Sequence, residues 1–157
     1  MSELITNFPE LLNGILHSVI YFVMGILILI IGGKVFDFIT PYDLKHELSE
    51  NDNVAVGVTQ AGFYIALGII IHATVSGDSY FYAEDKSLAA IFIKDMILTV
   101  SYFIIGLIAL SLGRFILNKT MAFSIDKEIV EDKNIAVGLL EASFYITIAL
   151  VIHASFS

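Results

Sequence analysis

Glu141 is the residue best placed to do chemistry. It stands in a run from Ile135 to Phe156 that holds no other carboxylate and no lysine or arginine. If Asn134 begins a helix, Glu141 lies about 10 Å into it at a rise of about 1.5 Å per residue. A carboxylate at that depth in a bilayer costs roughly 2.5–3.5 kcal/mol on insertion scales. Two readings follow. In one, Glu141 is a protonated or hydrogen-bonded acid that ties helices together, with Tyr145 one turn on as its partner. In the other it belongs to an ion or proton site with Tyr145 and with Gln60 and Tyr64, which occupy the same two positions in an earlier apolar run. His17, His72 and His153 form a second candidate group. Each falls near the end of an apolar run expected to lie at the outer membrane boundary. One layer of imidazoles can bind a metal or sense pH. Their sequence spacing lacks any close ligand pair, so interfacial side chains with polar tips are the preferred reading. No metal and no cofactor are expected. The chain has no cysteine, and it contains no P-loop, no HExxH and no glycine-rich nucleotide turn. An enzyme is not expected.

The elements that position these residues follow from composition and periodicity. Of 157 residues, 57% are hydrophobic and 15% charged, and the mean hydropathy is +0.86. Soluble domains average about 45–50% apolar. The expected class is therefore all-α, with four transmembrane helices at 15–36, 54–75, 96–115 and 135–156. About 20 apolar residues suffice to cross. A lead occupies 1–14 and a connector 77–93, and short amphipathic segments fill the two remaining gaps. Glu3 and Glu10 with no Lys or Arg before Leu16 argue against a secretory signal. Thr40-Pro41 is expected to start the first surface segment, and Glu47, Glu50, Glu128 and Glu131 to be solvated. A net charge of -8 gives no reason to expect nucleic acid as a partner.

The second half repeats the first. Asn53-Val54-Ala55-Val56-Gly57 recurs as Asn134-Ile135-Ala136-Val137-Gly138, and Ile71-His72-Ala73 recurs as Ile152-His153-Ala154. Counted over the two halves, roughly a third of the paired positions are identical. Repeat 1 covers 15–76 and repeat 2 covers 94–157. Asn53 and Asn134 are read as helix caps, their side chains accepting from free first-turn amides. Lys34, Lys45, Arg114, Lys119, Lys127 and Lys133 flank one side, against Lys86 and Lys94 on the other. The positive-inside rule then puts both hairpin turns in the cytoplasm and both termini outside. Like-oriented copies are expected to be related by a pseudo-two-fold along the membrane normal. At 100° per residue, each span carries a seam of tyrosine and small residues expected to face inward. Gly25, Gly32, Gly57, Gly106, Gly113 and Gly138 mark these packing seams, since small residues let helices approach closely in lipid. In span two the seam is Gly57, Gln60, Ala61, Tyr64, Gly68 and Ile71.

At Thr40-Pro41 and at the repeated Asn-x-Ala-x-Gly helix starts, the sequence resembles the YjfL-like bacterial inner-membrane proteins, a domain of unknown function numbered 350. The resemblance runs from about Asn13 almost to the end; valine stands at Val56 and Val137 where the family has a second alanine. It implies two tandem two-span units and an inner-membrane location. It also implies genomic neighbours among polyamine-related enzymes or envelope-stress proteins. It assigns no activity. The function expected is that of a non-enzymatic, oligomeric envelope component or scaffold working through contacts with other copies or a membrane protein. The alternative is a small ion or solute channel or transporter with Glu141 lining the path.

Overall fold

The computed structural model describes residues 2–76 and 88–156. It consists of six helices: α1 (Ser2–Ile39), α2 (Leu44–Ser49), α3 (Val54–Ser76), α4 (Leu88–Thr120), α5 (Ile125–Val130) and α6 (Ile135–Phe156). Among the described residues there is no strand. Within the four long helices, Gly14–Ile39, Val54–Ala73, Met96–Thr120 and Ile135–Ser155 are long and apolar enough to cross a bilayer. This is a multi-pass all-helical membrane protein. The lead is continuous with the first span in α1. Most of the connector, 77–87, lies outside the described residues.

The turns follow from a few polar side chains. Thr40 does not begin a helix with Pro41, as the sequence suggested. Its hydroxyl donates back to the carbonyls of Phe36 at 3.0 Å and Asp37 at 3.2 Å, closing α1. Asp43 is the cap of α2 instead, accepting from the His46 amide at 3.0 Å. Ser124 does the same for α5 from Lys127. Each short helix then reverses through a left-handed residue, Asp52 at φ 47° and Lys133 at φ 48°. Left-handed residues of this kind commonly end helices. The next amide, of Asn53 or Asn134, donates back to the carbonyl of Glu47 at 2.9 Å or Glu128 at 2.8 Å.

α3 sits at the centre and makes its most extensive contact with α6, while α1 and α4 pack beside it. Ala55 near the start of α3 lies against Gly138 near the start of α6, and His72 lies against His153 near their ends. The two helices therefore run side by side in one direction. Their approach is close because the touching residues are small. A Cβ on Gly138 would come within 2.6 Å of the Ala55 carbonyl oxygen, and one on Gly62 would overlap Ala142. Around this seam Phe36, Phe63 and Tyr145 form an aromatic cluster. Phe36 and Phe63 have ring centroids 4.6 Å apart, and Phe63 meets Tyr145 edge-on at 5.4 Å.

The expected seam residues are placed unevenly. Gly32, Gly106 and Gly113 pack against Leu67, Ile70 and Ile148, and in α6 Gly138, Glu141, Ala142, Tyr145 and Ala149 are all buried. In α3 the expected seam is turned the other way. Ala61, Tyr64 and Gly68 are exposed, while Ala55, Thr59, Gly62, Phe63, Ala66 and Ile70 are buried. A Cβ on Gly57 would meet only Leu48, at 3.5 Å, and one on Gly25 would meet nothing. The physical reason is that α3 carries two small-residue faces. The one that docks also brings Phe63 and Leu67, so it buries more apolar surface, whereas the other carries Gln60. For the same reason the α3–α6 contact is not two-fold over the starting halves of the helices, where Ala55 and Gly62 meet Gly138 and Ala142 rather than their own counterparts; at the far end the counterparts His72 and His153 meet.

Candidate functional site

Two buried charges meet at the loop end of α4 and α6. Arg114, in the last stretch of α4, is 5% exposed, and Glu141 is 0% exposed. Arg114 Nη1 donates to Glu141 Oε1 at 2.5 Å and faces the Tyr145 hydroxyl at 3.4 Å. Its Nη2 donates to Asp126 Oδ1 of α5. Tyr145 also donates to Glu141 Oε1, at 2.9 Å. The remaining Glu141 oxygen, Oε2, is buried without a hydrogen-bond partner. Tyr42, from the turn after α1, faces the same group. Its hydroxyl feels the Arg114 guanidinium without a bond of ordinary geometry. Burial, reinforced by the Glu141 carboxylate, pushes the Tyr42 phenol above its usual value, so it stays neutral. One guanidinium thus answers two carboxylates. A cleft of about 330 Å³, lined by residues including Ile39, Pro41, Ser111, Arg114 and Asp126, leads to this ion pair.

Only half of the first candidate group comes together. Glu141 and Tyr145 touch, but Gln60 and Tyr64 lie on the outward side of α3. The Tyr64 hydroxyl instead sits over Gly33, whose partner position in the second half is Arg114. The residue that sequence reasoning missed is Arg114 itself, which it counted only as a topology-setting charge. A signal was present. Arg114 and Glu141 both stand within long apolar helices at positions whose counterparts in the first half, Gly33 and Gln60, are neutral. Opposite charges that appear together in one copy are expected to pair.

Two of the three histidines meet. His72 Nδ1 and His153 Nε2 are 3.2 Å apart, with rings stacked at 5.5 Å. Among the described residues no three His, Asp or Glu side chains form a group able to hold a metal ion. Asn53 does more than cap. Its Oδ1 accepts from the amides of Ala55 at 3.1 Å and Val56 at 3.3 Å. Its Nδ2 donates to Glu47 Oε2 at 2.9 Å and to the Ile129 carbonyl at 3.0 Å. Glu47 is accordingly 7% exposed and is not solvated. Asn134 caps through the Ala136 amide at 3.1 Å and donates to Glu128 at 2.8 Å.

Among the described residues, four helices long and apolar enough to cross a bilayer, closed at one end by a buried ion pair, fit an integral membrane protein. The family model for a domain of unknown function (DUF350) matches residues 10–156, and the chain belongs to that family. No curated protein and no solved structure matches it.

Proposed function

We propose that this protein is a non-enzymatic component of the bacterial inner membrane that acts through contacts between proteins rather than by moving a solute. On this reading two tandem copies of a two-span unit point the same way, with both turns in the cytoplasm and both termini outside. Support for the duplicated unit comes from bonds that recur at the same spacing. The Asn53–Glu47 and Asn134–Glu128 pairs match, as do the left-handed residues Asp52 and Lys133. The observation that carries the functional reading is the state of Glu141. The one acid deep in a span is closed onto Arg114 and Tyr145 inside the chain. A carboxylate held in this way braces α4 against α6 and α5. The test is reconstitution in liposomes loaded with a pH-sensitive or potassium-sensitive dye. Wild-type protein should leak no faster than protein-free vesicles. A flux that Glu141→Gln abolishes would overturn the reading.

A second reading, a small channel or transporter, is favoured by the cleft that reaches Arg114 and Asp126 and by the unpartnered oxygen of Glu141. In that case the ion pair would open to pass a proton or small ion, and the same flux assay would show it.

A further inference from the structure

The way α3 meets α6 leaves each helix with an unused copy of the other's docking face. Within the chain, Ala55 and Gly62 of α3 meet Gly138 and Ala142 of α6. The repeat counterparts of the first two are Ala136 and Ser143, and those of the second two are Gly57 and Ala61, each 81 residues away; at the far end of the helices two counterparts, His72 and His153, meet each other instead. A two-fold contact would bury both sets. Here Ala136, Ser143 and Ala61 are exposed, and Gly57 would touch only Leu48. A contact between unlike faces does not close on itself. It leaves one face open at each end, and identical units joined this way continue into a ring or a chain.

We propose that the open face of α6 on one copy of this protein docks onto the open face of α3 on the next. The contact between copies then repeats the small-residue part of the one made inside each copy, near the starting ends of the two helices. This deepens the reading of the protein as a contact-forming membrane component and rests on it. Two further observations fit. A groove of about 430 Å³ runs along the open side of α3, lined by residues including Leu48, Asn53, Gly57, Val58 and Ala61, where Ala136 of a neighbour would enter. In addition, Asn53 donates to the Ile129 carbonyl across the internal contact. The counterpart of that bond runs from Asn134 to the Leu48 carbonyl of the next copy. Leu48 lines the groove, and within one chain Asn134 has only the counterpart of the local bond, to Glu128. In lipid, packing and polar bonds drive such association, with close approach allowed by small residues.

The chain has no cysteine, so cross-linking is clean. Full-length Ala61→Cys and Ser143→Cys chains carrying different tags are co-expressed, and native membranes are oxidised. The expected product is a mixed-tag dimer, absent when either variant is expressed alone and collapsed by reductant. Gly57→Cys with Ala136→Cys forms a second, independent pair. Failure of both mixed pairs overturns the proposal, and so does a dimer from Ala61→Cys alone, which marks a two-fold contact. Counting wild-type chains per lipid nanodisc separates the two levels. Several chains without either cross-link would refute this interface and leave the contact-forming reading standing.

Discussion

At the residue scale Arg114 joins three elements, bonding to Glu141 and Tyr145 of α6 and to Asp126 of α5. Removing one partner of a buried ion pair leaves the other charge uncompensated, typically at about 3–5 kcal/mol, whereas replacing both by apolar groups is often neutral. Arg114→Met should therefore destabilise strongly, because it strands Glu141 and leaves Asp126 without its guanidinium. Glu141→Gln should cost less, since Tyr145 retains an acceptor and Arg114 retains Asp126. The double variant Arg114→Met/Glu141→Met should recover most of the loss of the single Arg114 change. Unfolding in mixed micelles by increasing denaturing detergent measures all three. If the double variant is as unstable as Arg114→Met alone, the two side chains are not coupled and the cluster is not the brace described. This pairing was within reach of the sequence but was obscured by a competing explanation. An arginine at the end of an apolar run satisfies the positive-inside rule without needing a partner. Glu141 stood out because nothing else accounts for an acid at that depth.

At the scale of elements, the caps were legible and the faces were only partly so. A cap is local chemistry: an asparagine before an apolar run has nearby amides to accept, and both Asn53 and Asn134 do so. What sequence could not separate was their second role. Asn53 also holds buried Glu47 and the Ile129 carbonyl, a long-range contact with no signature in spacing. Loss of an N-cap side chain costs roughly 1 kcal/mol, and an unsatisfied buried polar group adds about 1–3 kcal/mol. Asn53→Ala should thus lower the melting temperature clearly more than Asn134→Ala, read by intrinsic tyrosine fluorescence in detergent. Equal shifts would mean that the bonds beyond the cap contribute nothing. The α3 face was misassigned because the helix is small-residue-rich on two sides, and periodicity alone does not say which side also carries the bulk of Phe63 and Leu67. Gly62 decides it. Gly62→Val should disrupt folding, as its side chain would meet Ala142, while Gly25→Val should be tolerated because nothing lies within reach. Comparing the monodisperse yield of the two variants by size-exclusion chromatography checks this. Similar yields would refute the close approach.

At the scale of the whole molecule, assembly and topology are one question. Head-to-tail docking of α6 onto a neighbour's α3 requires every two-span unit in the membrane to point the same way. The internal contact already has α3 and α6 starting together, with Ala55 beside Gly138, and the proposed topology, argued from the positive-inside rule, has both turns in the cytoplasm. Ser49 lies at the end of α2, and Thr120 ends α4 just before the second turn. In the parallel arrangement both belong to the cytoplasmic side, whereas an inverted repeat would put one on each side. Cysteines placed singly at Ser49 and at Thr120 should both resist a membrane-impermeant maleimide in intact spheroplasts and both react once the membrane is permeabilised. Labelling of one site but not the other from outside would mean inverted units and would remove the basis for docking through repeated faces. Labelling of both would turn the molecule over, which would reverse the cytoplasmic assignment and leave the assembly geometry intact. The experiment therefore separates the handedness of the insertion, which rests on a few lysines and Arg114, from the parallel arrangement of the two units, on which the docking between copies depends.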